Sequence, residues 1–160
     1  MLVGYAQSRR RKSGFTLIEL LTTMLIVAVL ASVSIPMYAG YVARARRADA
    51  RTQLLQVAQF MQRFYAASDS YLQDRAGNGV LSQIPSPLQQ SPADSGRLYE
   101  LVIPEATLTH SSYEIRMVPV AGGIMQSDQC GAFSLTSTGV RAVLTGAAPG
   151  NAALRDTCWK

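Results

Sequence analysis

The stretch "GFTLIELL" (residues 14–21) sets one carboxylate, Glu19, at the entrance of an otherwise apolar run. From Leu20 to Ala43 no charged residue occurs. That run exceeds the roughly 20 residues a helix needs to cross bilayer hydrocarbon. A charge at the centre of such a helix costs about 2.5–3.5 kcal/mol on insertion scales, so an unpartnered Glu19 is a liability that calls for a reason.

Helical pattern continues past the apolar run. In "ADARTQLLQVAQFMQRFY" (48–65), Ala50, Leu54, Val57, Ala58, Met61, Phe64 and Tyr65 recur at three- and four-residue steps. Thr52, Gln53, Gln56, Gln59, Gln62 and Arg63 fall on the other faces. No Gly, Pro or turn cluster interrupts Tyr41 to Ala66, so the pattern predicts one long helix from about Phe15 to Ala66. Only Pro36 and Gly40 disturb it. Pro36 removes its own hydrogen bond and crowds the Ser32 carbonyl, so a kink or meltable stretch is expected near Ser32 to Pro36, partly relieved by the hydroxyls of Ser32 and Ser34.

Residues 67–96, with Gly77, Gly79, Pro85, Pro87, Pro92 and Gly96, read as a long connecting loop. Four strand-like runs follow at 97–103, 112–120, 131–138 and 140–144. Tyr113, Ile115 and Met117 alternate with Glu114 and Arg116, and Phe133 and Leu135 alternate with Ser134 and Thr136, which makes one sheet face apolar. The fold class expected is α+β: a long N-terminal helix whose second half packs on an antiparallel sheet of about four strands.

The net charge of +5 is misleading as a sign of nucleic-acid binding. Arg9, Arg10, Arg11 and Lys12 stand together before Gly14, and from Phe15 onward 11 basic residues face 10 acidic ones. The basic cluster resembles the cytoplasmic flank of a signal sequence, although Arg44, Arg46, Arg47 and Arg51 beyond the apolar run blur the asymmetry. Those four arginines read as headgroup or inter-subunit contacts at the membrane boundary, with Asp49 as a partner for one of them. Cys130 and Cys158 are the two cysteines. In an exported chain they favour one disulfide, against two buried free thiols in a cytosolic one, and the disulfide places the C-terminal part in an oxidising compartment. Such a closure contributes on the order of 3.5 kcal/mol.

The basic leader, "GFTLIELL", the charge-free run, Pro36 and the two-cysteine tail together resemble the type IV pilins. The resemblance implies the type IV pilin fold, removal of residues 1–14 by a prepilin peptidase that cuts between Gly14 and Phe15, and methylation of Phe15 by the same enzyme. It also implies an assembly role for Glu19: the new Phe15 ammonium of one subunit meets the Glu19 carboxylate of a neighbour. Residues 15–41 then serve first as membrane anchor and later as filament core. Residues 42–160 form a periplasmic head, made of the helix to 66, the loop 67–96 and the sheet and disulfide region 97–160. The tail "CGAFSLTSTGVRAVLTGAAPGNAALRDTCWK" (130–160) and "FYAASDSY" (64–71) resemble minor pilins of the PilE type of Gram-negative bacteria.

The implied protein is a structural subunit, not an enzyme, in a type IV pilus serving biogenesis, twitching motility or adhesion. Its partners would be other pilin subunits, the peptidase and methyltransferase, the inner-membrane assembly platform and membrane lipid. It would move from a single-pass inner-membrane form with a cytoplasmic N-terminus to the cell-surface pilus. Two alternatives stay open. One is a DNA-binding pilin for natural transformation, for which the tail offers Arg141, Arg155, Lys160 and Trp159 against Asp128 and Asp156. The other is a pseudopilin of a type II secretion system, which shares the N-terminal motif. A conventional signal peptide cut after Ala31 or Ser34 is the bland reading of the same run. His110 in "THSSY" reads as a surface loop residue, and Asp69, Asp74 and Asp94 do not have the spacing of a calcium loop. No metal or cofactor motif is present.

Overall fold

The computed structural model describes residues 14–146 and 148–160. The expected leader, residues 1–14 with Arg9 to Lys12, lies outside the described residues apart from Gly14. The chain divides into two compact units, one ending at Gly40 and the other spanning Tyr41–Lys160. One helix, α1 (Leu17–Ser68), supplies backbone to both.

In the first unit, α1 contains an 18-residue window of mean hydropathy 2.2 with none of it buried, long and apolar enough to cross a membrane. Phe15, Leu25, Ile35 and their apolar neighbours are all exposed. Three hydroxyls of the segment turn back on their own helix. Thr22 donates to the Glu19 carbonyl (3.0 Å), Thr23 to Leu20 (2.8 Å) and Ser32 to Val29 (2.7 Å). A hydroxyl satisfied this way costs little where no water is available. Helix is assigned without interruption through Pro36. The Ser32 hydroxyl bonds the Val29 carbonyl rather than relieving the carbonyl that Pro36 leaves free.

In the second unit, the order along the chain is α1, a one-turn helix α2 (Val80–Gln83), β1 (Gln90–Ser91), β2 (Tyr99–Val102), β3 (Glu114–Pro119), β4 (Ala132–Thr136), β5 (Arg141–Thr145), β6 (Ala148–Pro149) and α3 (Ala152–Cys158). The strands form one antiparallel sheet in sequential order. Six strands are present where about four were expected. The additional two, β1 and β6, are two residues long, too short for a period of two to show, and each lies at a sheet edge beside or containing a proline. Short edges also leave little unpaired backbone for stray association.

Register explains the core. Leu101 faces Met117, Met117 faces Phe133 and Phe133 faces Val143, while Ile115 faces Leu135, so one sheet face is apolar from β2 to β5. On it lie Ala50, Leu54, Val57, Met61 and Phe64 of α1, joined by Tyr71 and Val80 from the long connection. Each large apolar side chain fully buried contributes about 1.5–3 kcal/mol. Ala58 and Tyr65 of the predicted stripe are half-buried. Gln53, placed by periodicity among the polar positions, is buried instead, and its amide donates to the Pro87 carbonyl. On the opposite sheet face Glu114 accepts two bonds from Arg116 (2.8 and 2.9 Å) and one from Ser134 (2.6 Å). The bond from Arg116, followed by that from Ser134, holds the Glu114 carboxyl below its ordinary range against the opposing effect of burial.

Candidate functional site

At the start of α1, Thr16 and Glu19 form half of a capping box: the Glu19 N–H donates to Thr16 Oγ1 at 3.3 Å. The spacing T-x-x-E is visible in the sequence and gives Glu19 a local role in starting the helix, where a carboxylate also favours the helix dipole. Its backbone is used in that way. Its carboxylate has no hydrogen bond or ion pair among the described residues. Phe15 precedes the helix and is 83% exposed. Gly14, Phe15 and Glu19 thus lie together at one helix end, and Pro36 stands several turns further on.

The head carries the second cluster. Arg47 on α1 grips Asp128 with a two-pronged bond, Nε to Oδ1 at 2.9 Å and Nη2 to Oδ2 at 2.6 Å. The side chains are only 14% and 7% exposed, so this pair works in a poorly hydrated setting. Asp128 Oδ1 also takes the Cys130 N–H at 3.0 Å. One turn along α1, Arg51 donates to the carbonyl of Cys158 at 3.0 Å and to that of Lys160. Cys130 and Cys158 are bonded to each other, with their Cα atoms 5.8 Å apart, and both are buried. Arg47 and Arg51 therefore hold the two ends of the disulfide loop onto the helix. This corrects the expectation that all four arginines serve external contacts: of the four, only Arg44 and Arg46 have neither a side-chain hydrogen bond nor an ion pair among the described residues.

Neighbouring residues fix the rest of the tail. Gly131 has φ +56, and a Cβ there would lie 2.2 Å from the Leu144 carbonyl oxygen, so the residue after Cys130 must be glycine. Asn151 caps α3 by accepting the Leu154 N–H at 2.8 Å. Trp159 Nε1 donates to the Ala142 carbonyl at 3.0 Å, its ring meets Phe133 edge-on at 5.7 Å, and the Arg141 guanidinium lies 5.3 Å from the ring centre. Arg51, Arg141, Trp159 and Lys160 line one groove of about 240 Å³ with Ala48, Thr52 and Leu55. Two acids counted against a basic tail are engaged, Asp128 by Arg47 and Asp156 by Arg155 at 2.8 Å. His110 is exposed, 3.0 Å from the Ser70 hydroxyl. Asp74 is used in closing its own loop through Ala76, Asn78 and Gln83.

A long N-terminal helix, an antiparallel sheet and a C-terminal disulfide are together the architecture of a type IV pilin. The profile of the prokaryotic N-terminal methylation motif matches residues 9–35. The profile described as type IV minor pilin ComP, DNA uptake sequence receptor, matches residues 36–134, and the chain belongs to that minor pilin family. A curated relative is the type IV major pilin protein PilA of Myxococcus xanthus, 34% identical over 61 residues, which are 38% of this chain and 28% of that one. The chain thus matches about a quarter of that relative's length. Among solved structures, the non-core minor pilin PilV of Neisseria meningitidis superposes with a TM-score of 0.44 at 14% identity, over 68% of this chain and 92% of the other. A type IV pilin of Shewanella oneidensis gives 0.41 at 29% identity, over 66% and 97%.

The Arg47–Asp128 pair generates a prediction. Removing one partner of a buried ion pair leaves the other charge unpaired, at a cost of about 3–5 kcal/mol. Arg47→Ala is expected to lower the unfolding free energy of the detergent-solubilised chain, measured by denaturant titration, by an amount of that order, with the disulfide still formed. A loss below about 0.5 kcal/mol, the range of an exposed pair, would show that the contact is screened by water.

Proposed function

We propose that the chain is a subunit of a type IV pilus, kept in the inner membrane by residues 15–41 until it enters the filament. The N-terminus lies in the cytoplasm and the head, residues 42–160, in the periplasm before assembly, and the subunit becomes part of the cell-surface fibre afterwards. A prepilin peptidase cuts after Gly14 and methylates the Phe15 nitrogen. The observation that carries this reading is Glu19: among the described residues its carboxylate stands without a partner, at the head of an exposed apolar helix. After cleavage, the Phe15 ammonium of the same chain is one turn away, but four residues span about 6 Å along the axis, a poor distance for direct pairing. A second subunit shifted along the helix axis brings its own ammonium to the carboxylate. The pairing neutralises both charges in a medium that penalises either alone, and so selects one stagger between subunits. The partners are other pilin subunits and the inner-membrane assembly platform.

Glu19→Gln keeps the side chain's shape and removes its charge. In cells that make the rest of the machinery, the variant is expected in the membrane fraction with a methylated Phe15 end. In sheared fibres it is expected to be depleted about tenfold or more, the effect of losing roughly 1.4 kcal/mol or more of pairing. Wild-type amounts in sheared fibres would remove Glu19 from assembly.

A second reading, DNA binding by the head, is favoured by the family's description and by the groove that brings Arg51, Arg141 and Lys160 around Trp159. Arg51 is partly committed to main-chain carbonyls, which leaves Arg141 and Lys160 as the residues free to meet phosphate. Full-length protein in neutral detergent is expected to shift a duplex oligonucleotide at low salt. Arg141→Gln with Lys160→Gln would lower the slope of log affinity against log salt by about 1.8. Absence of salt-dependent binding at low ionic strength would exclude this reading.

A further inference from the structure

Basic residues on the far side of a span oppose the orientation that the basic leader favours. Four arginines follow the charge-free run closely, and the structure accounts for two of them, Arg47 through Asp128 and Arg51 through the tail carbonyls. Arg44 and Arg46 remain. Arg44 is exposed and Arg46 half-buried, and neither has an ion pair among the described residues, although Asp49 is exposed three positions beyond Arg46. Tyr41, 65% exposed, lies three residues before Arg44 and so on nearly the same helix face. Tyrosine followed by arginine at the end of an apolar helix is the composition of a membrane–water boundary, where the ring sits at headgroup level and the guanidinium reaches phosphate.

We propose that Tyr41, Arg44 and Arg46 form a collar for anionic phospholipid headgroups that holds the unassembled head at the outward-facing membrane surface. This rests on the reading above that the apolar run crosses the membrane. The angular placement favours lipid over a protein or nucleic-acid partner. Residues two apart on a helix point about 200° from each other, so Arg44 and Arg46 project to opposite sides. Arg46, one turn before buried Ala50, lies half-buried on the sheet-packing side, and Arg44 lies with Tyr41 on the open side; a folded partner on the open side would miss Arg46, whereas a headgroup layer crossing the helix axis meets both. On entry into a filament the collar would exchange these phosphates for other contacts, so its strength sets part of the cost of extraction.

The test is lipid selectivity by electron spin resonance. The full-length protein is placed in phosphatidylcholine vesicles carrying a trace of spin-labelled phosphatidylglycerol or spin-labelled phosphatidylcholine. Arg9, Arg10, Arg11 and Lys12 are replaced by Gln in all samples to remove the other basic cluster. The motionally restricted fraction is expected to favour phosphatidylglycerol by about threefold or more, since each basic residue at the surface contributes about fivefold. Arg44→Gln with Arg46→Gln should bring the preference to about one. Equal restriction of the two lipids, or a preference that survives the double substitution, would overturn the collar while leaving the span intact. No restricted fraction for either lipid would overturn the span itself, and the collar with it. Loss of oligonucleotide binding in the double variant, with lipid preference unchanged, would assign the two arginines to nucleic acid and also overturn the proposal.

Discussion

The apolar segment of α1 is exposed among the described residues, and that exposure is the constraint its polar groups answer to. A helix with this hydropathy and no buried residue in its first unit is not a stable aqueous structure. In the proposed function, lipid covers it before assembly and copies of related helices cover it afterwards. A polar group that lacks a partner inside either environment is costly, and the helix is built accordingly: its threonines and Ser32 bond their own backbone. The charged group of the segment, the Glu19 carboxylate, has no such bond among the described residues, and a charge in that position marks a place where a partner is expected from outside.

The head solves a different problem. Its core is ordinary, an amphipathic helix on the apolar face of an antiparallel sheet, but its C-terminal tail returns over a long sequence distance and needs fastening. Three unlike interactions fasten it: the disulfide, the Arg47 and Arg51 bonds from the helix, and Trp159 set on Phe133 with its nitrogen bonded to Ala142. The disulfide limits the freedom of the unfolded chain, whereas the arginines and the indole act in the folded state. Their separate origins mean that losing one leaves the tail still attached by the others.

Much of this was legible in the sequence, and the failures have physical causes. Charge-free length and three- to four-residue periodicity located α1 within two residues at each end, because those signals are local and repeated many times. The four longer strands were visible for the same reason. Strands β1 and β6 hold two residues each, below the length at which alternation can be read, and α3 was missed although Asn151 supplies an ordinary cap. Gln53 was misassigned because a tertiary acceptor, the Pro87 carbonyl, outweighed its polarity. The partners of Arg47 and Arg51 lie 81 and 107 or more residues away, so the spacing between them carried no signal. The half capping box at Thr16 and Glu19 is a local signal, legible in the T-x-x-E spacing itself.

Assembly through Glu19 requires Phe15 to become a charged chain end. Intact mass and N-terminal residue of the membrane-bound protein, taken with and without reductant, test it most directly. A chain beginning at methylated Phe15, lighter by two hydrogens before reduction, is expected. A chain beginning near Ser32 or Ile35, or an uncut Met1, would contradict it and leave Glu19 without a partner to await.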